Sequence, residues 1–125
     1  MNNYLYVAFG GGIGAVLRVA VAGLIQQAAP TLSFPLATFT INVLGCFFAG
    51  MIVALSDRLG GIGEHWRHLV MTGLLGGFTT FSAFGVETVE LMKRGMPGTA
   101  ASYAAGSVIC GLVSLYLATM LVGRS

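Results

Sequence analysis

The chain has 125 residues, of which 56% are hydrophobic and only 8% are charged, and its mean hydropathy is +0.87. A soluble domain draws roughly a quarter of its residues from Asp, Glu, Lys and Arg, so this composition excludes a water-facing exterior. The net charge is +2, and the basic residues form no cluster larger than the pair Lys93 and Arg94, which excludes nucleic acid as an expected partner. The composition predicts an all-α integral membrane protein.

Four apolar stretches are each long enough to cross a bilayer, which takes roughly 20 residues. Proline suits the first turn of the second and fourth stretches, because the N–H that it lacks has no helical partner there. The connectors are short, so neighbouring helices are expected to run antiparallel, with both termini on one side. No cleavable signal peptide is expected. The predicted helices of this single domain (residues 1–125) lie at about 4–28, 35–56, 68–92 and 97–122.

The basic residues are spread almost evenly over the two sides of the membrane. With the termini inside, Arg58, Arg67 and Arg124 lie on the inner face, and Lys93 and Arg94 lie on the outer face. Three against two is a weak bias under the positive-inside rule. The chain is therefore permitted to insert in both orientations, which would allow an antiparallel homodimer without requiring one.

The cysteines and histidines favour no metal or disulfide site. Cys46 and Cys110 lie inside apolar runs, where a free thiol packs as a small hydrophobe. His65 and His68 are three residues apart but have no further ligands nearby.

Glycine is abundant at 19 residues, and two pairs have the spacing G-x-x-x-G, Gly10 with Gly14 and Gly73 with Gly77. Such spacing lets helix backbones approach closely in a membrane, and we interpret most of these glycines as packing residues.

Polar side chains at bilayer depth are costly and mark candidate functional positions. In the second helix Thr38 and Asn42 lie one turn apart on one face, and Asn42 is too deep to reach water easily. Its amide is either a bond between helices or a donor to a ligand. In the fourth helix Tyr103, Ser107 and Ser114 share a face with Gly111. Their hydroxyls form a polar track, or each bonds back to its own helix.

The third helix contains the string Gly76-Gly77-Phe78-Thr79-Thr80-Phe81-Ser82-Ala83-Phe84, followed by Glu87. Two glycines and two threonines in mid-span disfavour a continuous helix. A broken helix frees backbone carbonyls, which are tolerated where they line a cavity or bind an ion, and which suit a hard cation such as Na⁺. The phenylalanines recur every third residue. They are packing residues, or their positive ring edges help to coordinate a small anion.

Two ionisable residues lie within the predicted spans. Arg18 either draws anions toward a pore mouth or extends its side chain to the interface. Glu87 follows Phe84 on the same side of its helix, so it is expected to face protein.

These residues closely resemble the Fluc (CrcB-type) fluoride channel family. The likeness covers essentially the whole chain and includes a Gly-rich first helix. It rests on Gly14-x-x-x-Arg18, on Thr38-x-x-x-Asn42, and above all on the specific string from Gly76 to Glu87. The resemblance implies an antiparallel dual-topology homodimer with two fluoride pores in the cell (inner) membrane, and passive fluoride efflux that relieves fluoride toxicity.

The resemblance also implies roles for individual residues. Gly76 and Thr79 would offer backbone carbonyls to a structural Na⁺ at the dimer centre. The fluoride pathway would be lined by Asn42, Phe81, Ser82, Phe84, Tyr103 and Ser107. Arg18, Thr38, Thr80, Glu87 and Ser114 would be pore-mouth or structural polar residues. Ala83 and Gly111 stand where many relatives have a hydroxyl, so each removes a donor.

Two other classes of membrane protein have four helices. A proton-coupled small multidrug exporter needs a membrane-buried carboxylate, typically in the first helix, but the first acidic residue here is Asp57 in a connector. A purely structural subunit would not explain a broken third helix flanked by donors. An enzyme is not expected, because no nucleophile–base pair or metal cluster lies at bilayer depth.

Overall fold

The computed structural model describes residues 2–124, and nearly all of them are helical. Four helices are long and apolar enough to cross a membrane, Asn3–Ala28, Leu36–Arg58, Glu64–Lys93 and Pro97–Arg124. The expected all-α fold with four spanning helices is confirmed, and the chain is a multi-pass membrane protein. The elements in chain order are α1 (Asn3–Ala28), α2 (Leu36–Arg58), α3 (Glu64–Trp66), π1 (Arg67–Leu75), α4 (Gly76–Phe78), α5 (Phe81–Lys93) and α6 (Pro97–Arg124).

The ends of the helices follow local sequence signals. The Asn2 side chain accepts a hydrogen bond from the first turn of α1. Gly60 and Gly61 have φ angles of 75° and 109° after α2, and Gly95 has a φ of 74° after α5. Residues with a Cβ rarely adopt these angles, so glycine permits the chain to reverse direction there. Pro97 then begins α6.

The third span starts at Glu64, within the stretch expected to be a polar connector. Residues 64–78 form one continuous helical run, here called the N-terminal half-helix, whose middle is the π-helical segment π1. α5 is called the C-terminal half-helix. The expected break in the third helix is confirmed, but it lies at Thr79 and Thr80, whose backbones are extended. Gly76 and Gly77, which we expected to weaken the helix, remain helical.

The glycines of α1 explain why Gly77 is needed within a helix. A Cβ on Gly77 would overlap the backbone of Gly11, and a Cβ on Gly14 would overlap the Leu74 carbonyl. Gly73 lies against Gly10 in the same way. These contacts advance in the same direction along both helices, so α1 and the N-terminal half-helix run parallel with their backbones touching.

A second parallel pair is formed by α2 and α6. A Cβ on Gly50 would overlap the Leu115 carbonyl, and a Cβ on Gly111 would lie 3.2 Å from Cys46 Sγ. The C-terminal half-helix packs mainly against α6. A core of Leu91, Ala100 and Tyr103 joins these two helices, with Phe34, Phe39, Phe84 and Met96 packed around it.

Candidate functional site

The break in the third helix is held by one side chain of α2. Asn42 Nδ2 donates to the Thr80 carbonyl at 3.0 Å, and the Thr80 N–H donates to Asn42 Oδ1 at 2.9 Å. The Asn42 amide thus pairs with both the N–H and the carbonyl of Thr80, an extended residue whose backbone groups have no partner within a helix. Asn42 is therefore a bond between helices in this structure. Its Nδ2 carries two hydrogens, so one N–H is left for another acceptor.

The threonines also bond locally to the two helix ends that flank the break. Thr79 Oγ1 donates to the Leu75 carbonyl at 3.0 Å. Thr80 Oγ1 accepts from the Ala83 N–H at 3.2 Å and caps the C-terminal half-helix. Ser82 Oγ lies 3.4 Å from Thr80 Oγ1, so its hydroxyl is directed to the break rather than to the cavity described below.

Arg18 reaches the other side of the break. It lies one turn beyond Gly14 on the face of α1 that touches the N-terminal half-helix, and its Nε donates to the Gly77 carbonyl at 3.1 Å. The last carbonyls of a helix have no intrahelical donor, and the negative end of the helix dipole favours a cation. Arg18 therefore stabilises the end of the N-terminal half-helix as a structural polar residue.

Glu87 is held by hydroxyls from two other helices. Thr38 Oγ1 donates to Glu87 Oε1 at 2.7 Å, and Tyr103 OH donates to Glu87 Oε2 at 2.8 Å. Thr38 is 8% exposed and Tyr103 is 0% exposed. The expectation that Glu87 faces protein is confirmed. Sequence reasoning had singled out all three residues but had not connected them, although a carboxylate in an apolar helix requires donors nearby.

A cavity of about 280 Å³ lies beside the break. The hydroxyl of Ser107 is buried and has no hydrogen-bond partner among residues 2–124. The rings of Phe81 and Phe84 lie 5.6 Å apart between their centroids, and Phe81 is 84% exposed. The cavity therefore combines ring edges with an unpaired hydroxyl donor. Its lining residues are Asn42, Cys46, Thr79, Thr80, Phe81, Phe84, Ser107 and Val108.

Sequence reasoning missed Cys46 and Val108 in this lining. Cys46 lies one turn beyond Asn42 on α2, and Val108 follows Ser107 on α6. The four-residue spacing from Asn42 could have placed Cys46 on the same face. We had instead interpreted the thiol only as a small apolar group, because its neighbours in the sequence are apolar.

A second cavity, of about 380 Å³, lies between the ends of α1, α2 and α5. Thr38 and Glu87 line it together with Glu90 and Arg94. Tyr103, which is bonded to Glu87, packs on Phe84 with 5.1 Å between the ring centroids. Tyr103 thus contacts a lining residue of each cavity.

Ser114 and Gly76 are two further predicted site residues that do not line the first cavity. Ser114 Oγ donates to the Val43 carbonyl at 3.3 Å, so this hydroxyl joins α6 to α2. The backbone of Gly76 belongs to the last turn of the N-terminal half-helix, next to the carbonyl that Arg18 binds. No group of three or more His, Cys, Asp or Glu side chains suitable for a metal lies within the described residues. The oxygen atoms at the break belong to backbone carbonyls and to the side chains of Asn42, Thr79 and Thr80.

Comparison with known proteins assigns the chain to a family. Residues 5–119 match the family model described as CrcB-like protein, Camphor Resistance (CrcB). A protein of Methylobacillus flagellatus named fluoride-specific ion channel FluC is 44% identical over 98% of this chain and 95% of its own length. A protein of the same name from Novosphingobium aromaticivorans is 49% identical over 94% of this chain and 93% of its own length. The chain belongs to the CrcB family.

Proposed function

We propose that the chain forms a fluoride-selective channel, not an enzyme, and that it mediates passive fluoride efflux across the cell (inner) membrane, relieving fluoride toxicity. The proposal is supported by the name of its relatives, which match it over nearly their whole length. The structural observation that carries it is the buried hydroxyl of Ser107, which has no partner among residues 2–124 and lies in a cavity with Phe81 and Phe84.

The cavity has the chemistry that a small, strongly hydrated anion requires. Ser107 offers an O–H, and Asn42 offers its second amide N–H. The ring edges of Phe81 and Phe84 carry partial positive charge. No lysine, arginine or histidine is among the lining residues. Donors without a full positive charge replace part of the hydration shell and still release the ion, which conduction demands.

The proposed path continues from the first cavity to the second. Beyond Ser107 it meets the hydroxyls of Tyr103 and Thr38, which both bond to Glu87. Fluoride would compete with the Glu87 carboxylate for these two donors. Glu87 thus orients the two hydroxyls and keeps them from binding the anion too strongly.

We further propose that two copies assemble as an antiparallel, dual-topology homodimer with two pores. Phe81 lines the cavity but is 84% exposed, and Val86, Val89 and Met92 on the same half-helix are exposed as well. A second copy packed here would close the open side of the cavity. The nearly even distribution of basic residues supports insertion in both orientations.

Surface labelling tests the dual topology. In protein without Cys46 and Cys110, a Lys93→Cys substitution places one thiol at the end of the C-terminal half-helix. An impermeant thiol reagent added outside whole cells should label about half of the chains. Labelling of all chains, or of none until the cells are lysed, would contradict the proposal.

A structural Na⁺ is proposed at the centre of the dimer, bound by the carbonyl oxygens of Gly76 and Thr79 from both copies. Gly76 lies in the last helical turn before the break and Thr79 lies at the break, where carbonyls lack helical donors, and oxygen atoms are the ligands that hard cations prefer. Protein prepared without Na⁺ should melt at a lower temperature and conduct fluoride more slowly, and Na⁺ but not K⁺ should restore both. Equal behaviour in the two cations would overturn the site.

The channel function is tested with purified protein in liposomes loaded with fluoride or with chloride, with valinomycin carrying the K⁺ counter-current. We expect rapid fluoride efflux and no chloride efflux above that of protein-free liposomes. Folded protein that releases no fluoride would disprove the proposed function.

A further inference from the structure

Cys46 packs on α6 and also lines the first cavity. It is one turn beyond Asn42 on α2 and lines the cavity with Ser107 of α6. The Ser107 hydroxyl is buried without a partner among the described residues, so an acceptor from outside the chain can bind it here. The thiol is therefore next to the donors to which we assign fluoride.

Gly111 makes room for the Cys46 thiol. It is buried one turn beyond Ser107 on α6, and a Cβ built on it would lie 3.2 Å from Cys46 Sγ. The sulfur thus lies directly over the α6 backbone, in the space that a side chain at position 111 would occupy.

The parallel course of α2 and α6 arranges these residues in two levels. Asn42 and Ser107 form the first level, and Cys46 over Gly111 forms the second, one helical turn further along both helices. At the second level α6 has no side chain beyond hydrogen. Cys46 carries a donor hydrogen at this level, on a polarizable sulfur.

We propose that Cys46 is a further lining residue of the fluoride pathway, and that its S–H continues the line of donors past Ser107 where α6 has only Gly111. This inference rests on the proposed channel function. A thiol is a weaker donor than a hydroxyl, so it stabilises the passing ion without binding it strongly. Cys46 thereby influences the rate of conduction.

Substitutions at Cys46 separate a donor from a packing residue. All variants carry Cys110→Ser, since Cys110 is exposed and does not line the cavity. Cys46→Val fills similar space without a donor, and we expect fluoride efflux to fall about 3- to 10-fold, the loss of one modest hydrogen bond. Cys46→Ser supplies a stronger donor, and efflux should rise. If Cys46 were only a packing residue between apolar groups, the order of the efflux rates would be reversed. The Val variant would then conduct faster than the Ser variant, because Val is apolar and Ser is not.

A small thiol reagent provides a second measurement should the Val variant not fold. With methyl methanethiosulfonate the Cys46 thiolate attacks the sulfenyl sulfur, an S–S bond forms, methanesulfinate leaves, and the thiol proton goes to water. The added S-methyl group should block efflux by the Cys110→Ser protein but not by the Cys46→Ser, Cys110→Ser protein.

The outcomes distinguish this inference from the function on which it rests. If the Cys110→Ser protein releases no fluoride, the channel function itself is wrong. If it conducts, but Val and Ser variants conduct equally and the reagent does not slow efflux, the role of Cys46 is wrong and the channel function stands.

Discussion

The two halves of the broken third helix are held in different ways. The N-terminal half-helix lies backbone to backbone against α1, and a Cβ on Gly14 or Gly77 would overlap the backbone that it faces. The C-terminal half-helix packs instead on α6 and is held by side-chain hydrogen bonds, including those that Glu87 accepts from Thr38 and Tyr103. Close backbone contact thus distinguishes the first half, and polar side-chain contacts beside an apolar core distinguish the second.

The difference indicates a division of roles. Close backbone packing tolerates no added atoms and leaves no space for a ligand, so the first half serves as a scaffold. Hydroxyls and amides beside a cavity have donors to offer an ion, so the second half serves the site. Substitutions in the first region should abolish folding, and those in the second should preserve folding and change transport.

The largest expected effect is that of Gly14→Val. The new side chain would collide with the Leu74 carbonyl and the Phe78 N–H, which are backbone groups that cannot move aside. We expect a loss of about 3 kcal/mol or more in stability. Little monodisperse protein should be recovered from detergent extracts. Gly12→Val is the matched control, since a Cβ on Gly12 meets no atom within 4 Å. A well-folded Gly14→Val protein would contradict steric fixation of this half.

Tyr103→Phe tests the hydrogen bonds that hold the C-terminal half-helix. It removes one of the two bonds that Glu87 accepts, in a fully buried position. A hydrogen bond to a charged group contributes about 1.5–3 kcal/mol, so the melting temperature should fall although the protein still folds. Tyr116→Phe, at a residue that is 62% exposed, should leave it unchanged. Equal melting temperatures for the two variants would show that the Glu87 cluster does not stabilise the fold.

The sequence predicts the four spans and the broken third helix, but not which contacts hold each half-helix. Hydropathy and length located four spans, and the low helix propensity of the string from Gly76 to Thr80 predicted a broken third helix. The position of the break within that string was not predictable. Glycine weakens a helix and also permits close packing, and only the contact with α1 decides between these effects at Gly77. The pairing of Thr38 and Tyr103 with Glu87 likewise depends on distances between helices, which periodicity does not contain.

Arg18→Lys should have a smaller effect at the junction of the two halves. Lysine keeps the positive charge but loses the guanidinium group that bonds to the Gly77 carbonyl. We expect a loss of about 0.5–1 kcal/mol in stability, measured by thermal unfolding. The matched control is Arg94→Lys on the exposed end of α5, which should melt as wild type does. If both variants behave alike, the Arg18 contact does not stabilise the end of the half-helix.

The smallest effect is expected for Arg94→Ala. Arg94 lies 3.7 Å from Glu90, and both side chains are more than half exposed. Exposed ion pairs of this kind contribute about 0.5 kcal/mol or less. Neither unfolding nor fluoride efflux should change measurably. A large loss of transport would mean that the second cavity depends on Arg94, and that the polar groups of the ion path extend further than proposed.

The central claim is that the break and the cavity beside it form the fluoride path, and Asn42→Ala tests it most directly. The variant removes both bonds to the Thr80 backbone and one free N–H donor. The lost donor to the ion alone corresponds to about a 10-fold lower rate, and a break that Asn42 no longer holds also misplaces the other lining groups. In liposomes we expect the folded Asn42→Ala protein to release fluoride at least about 10-fold more slowly than wild type. Asn3→Ala, at an exposed asparagine of α1, should conduct normally. Folded Asn42→Ala protein with wild-type efflux would contradict the account.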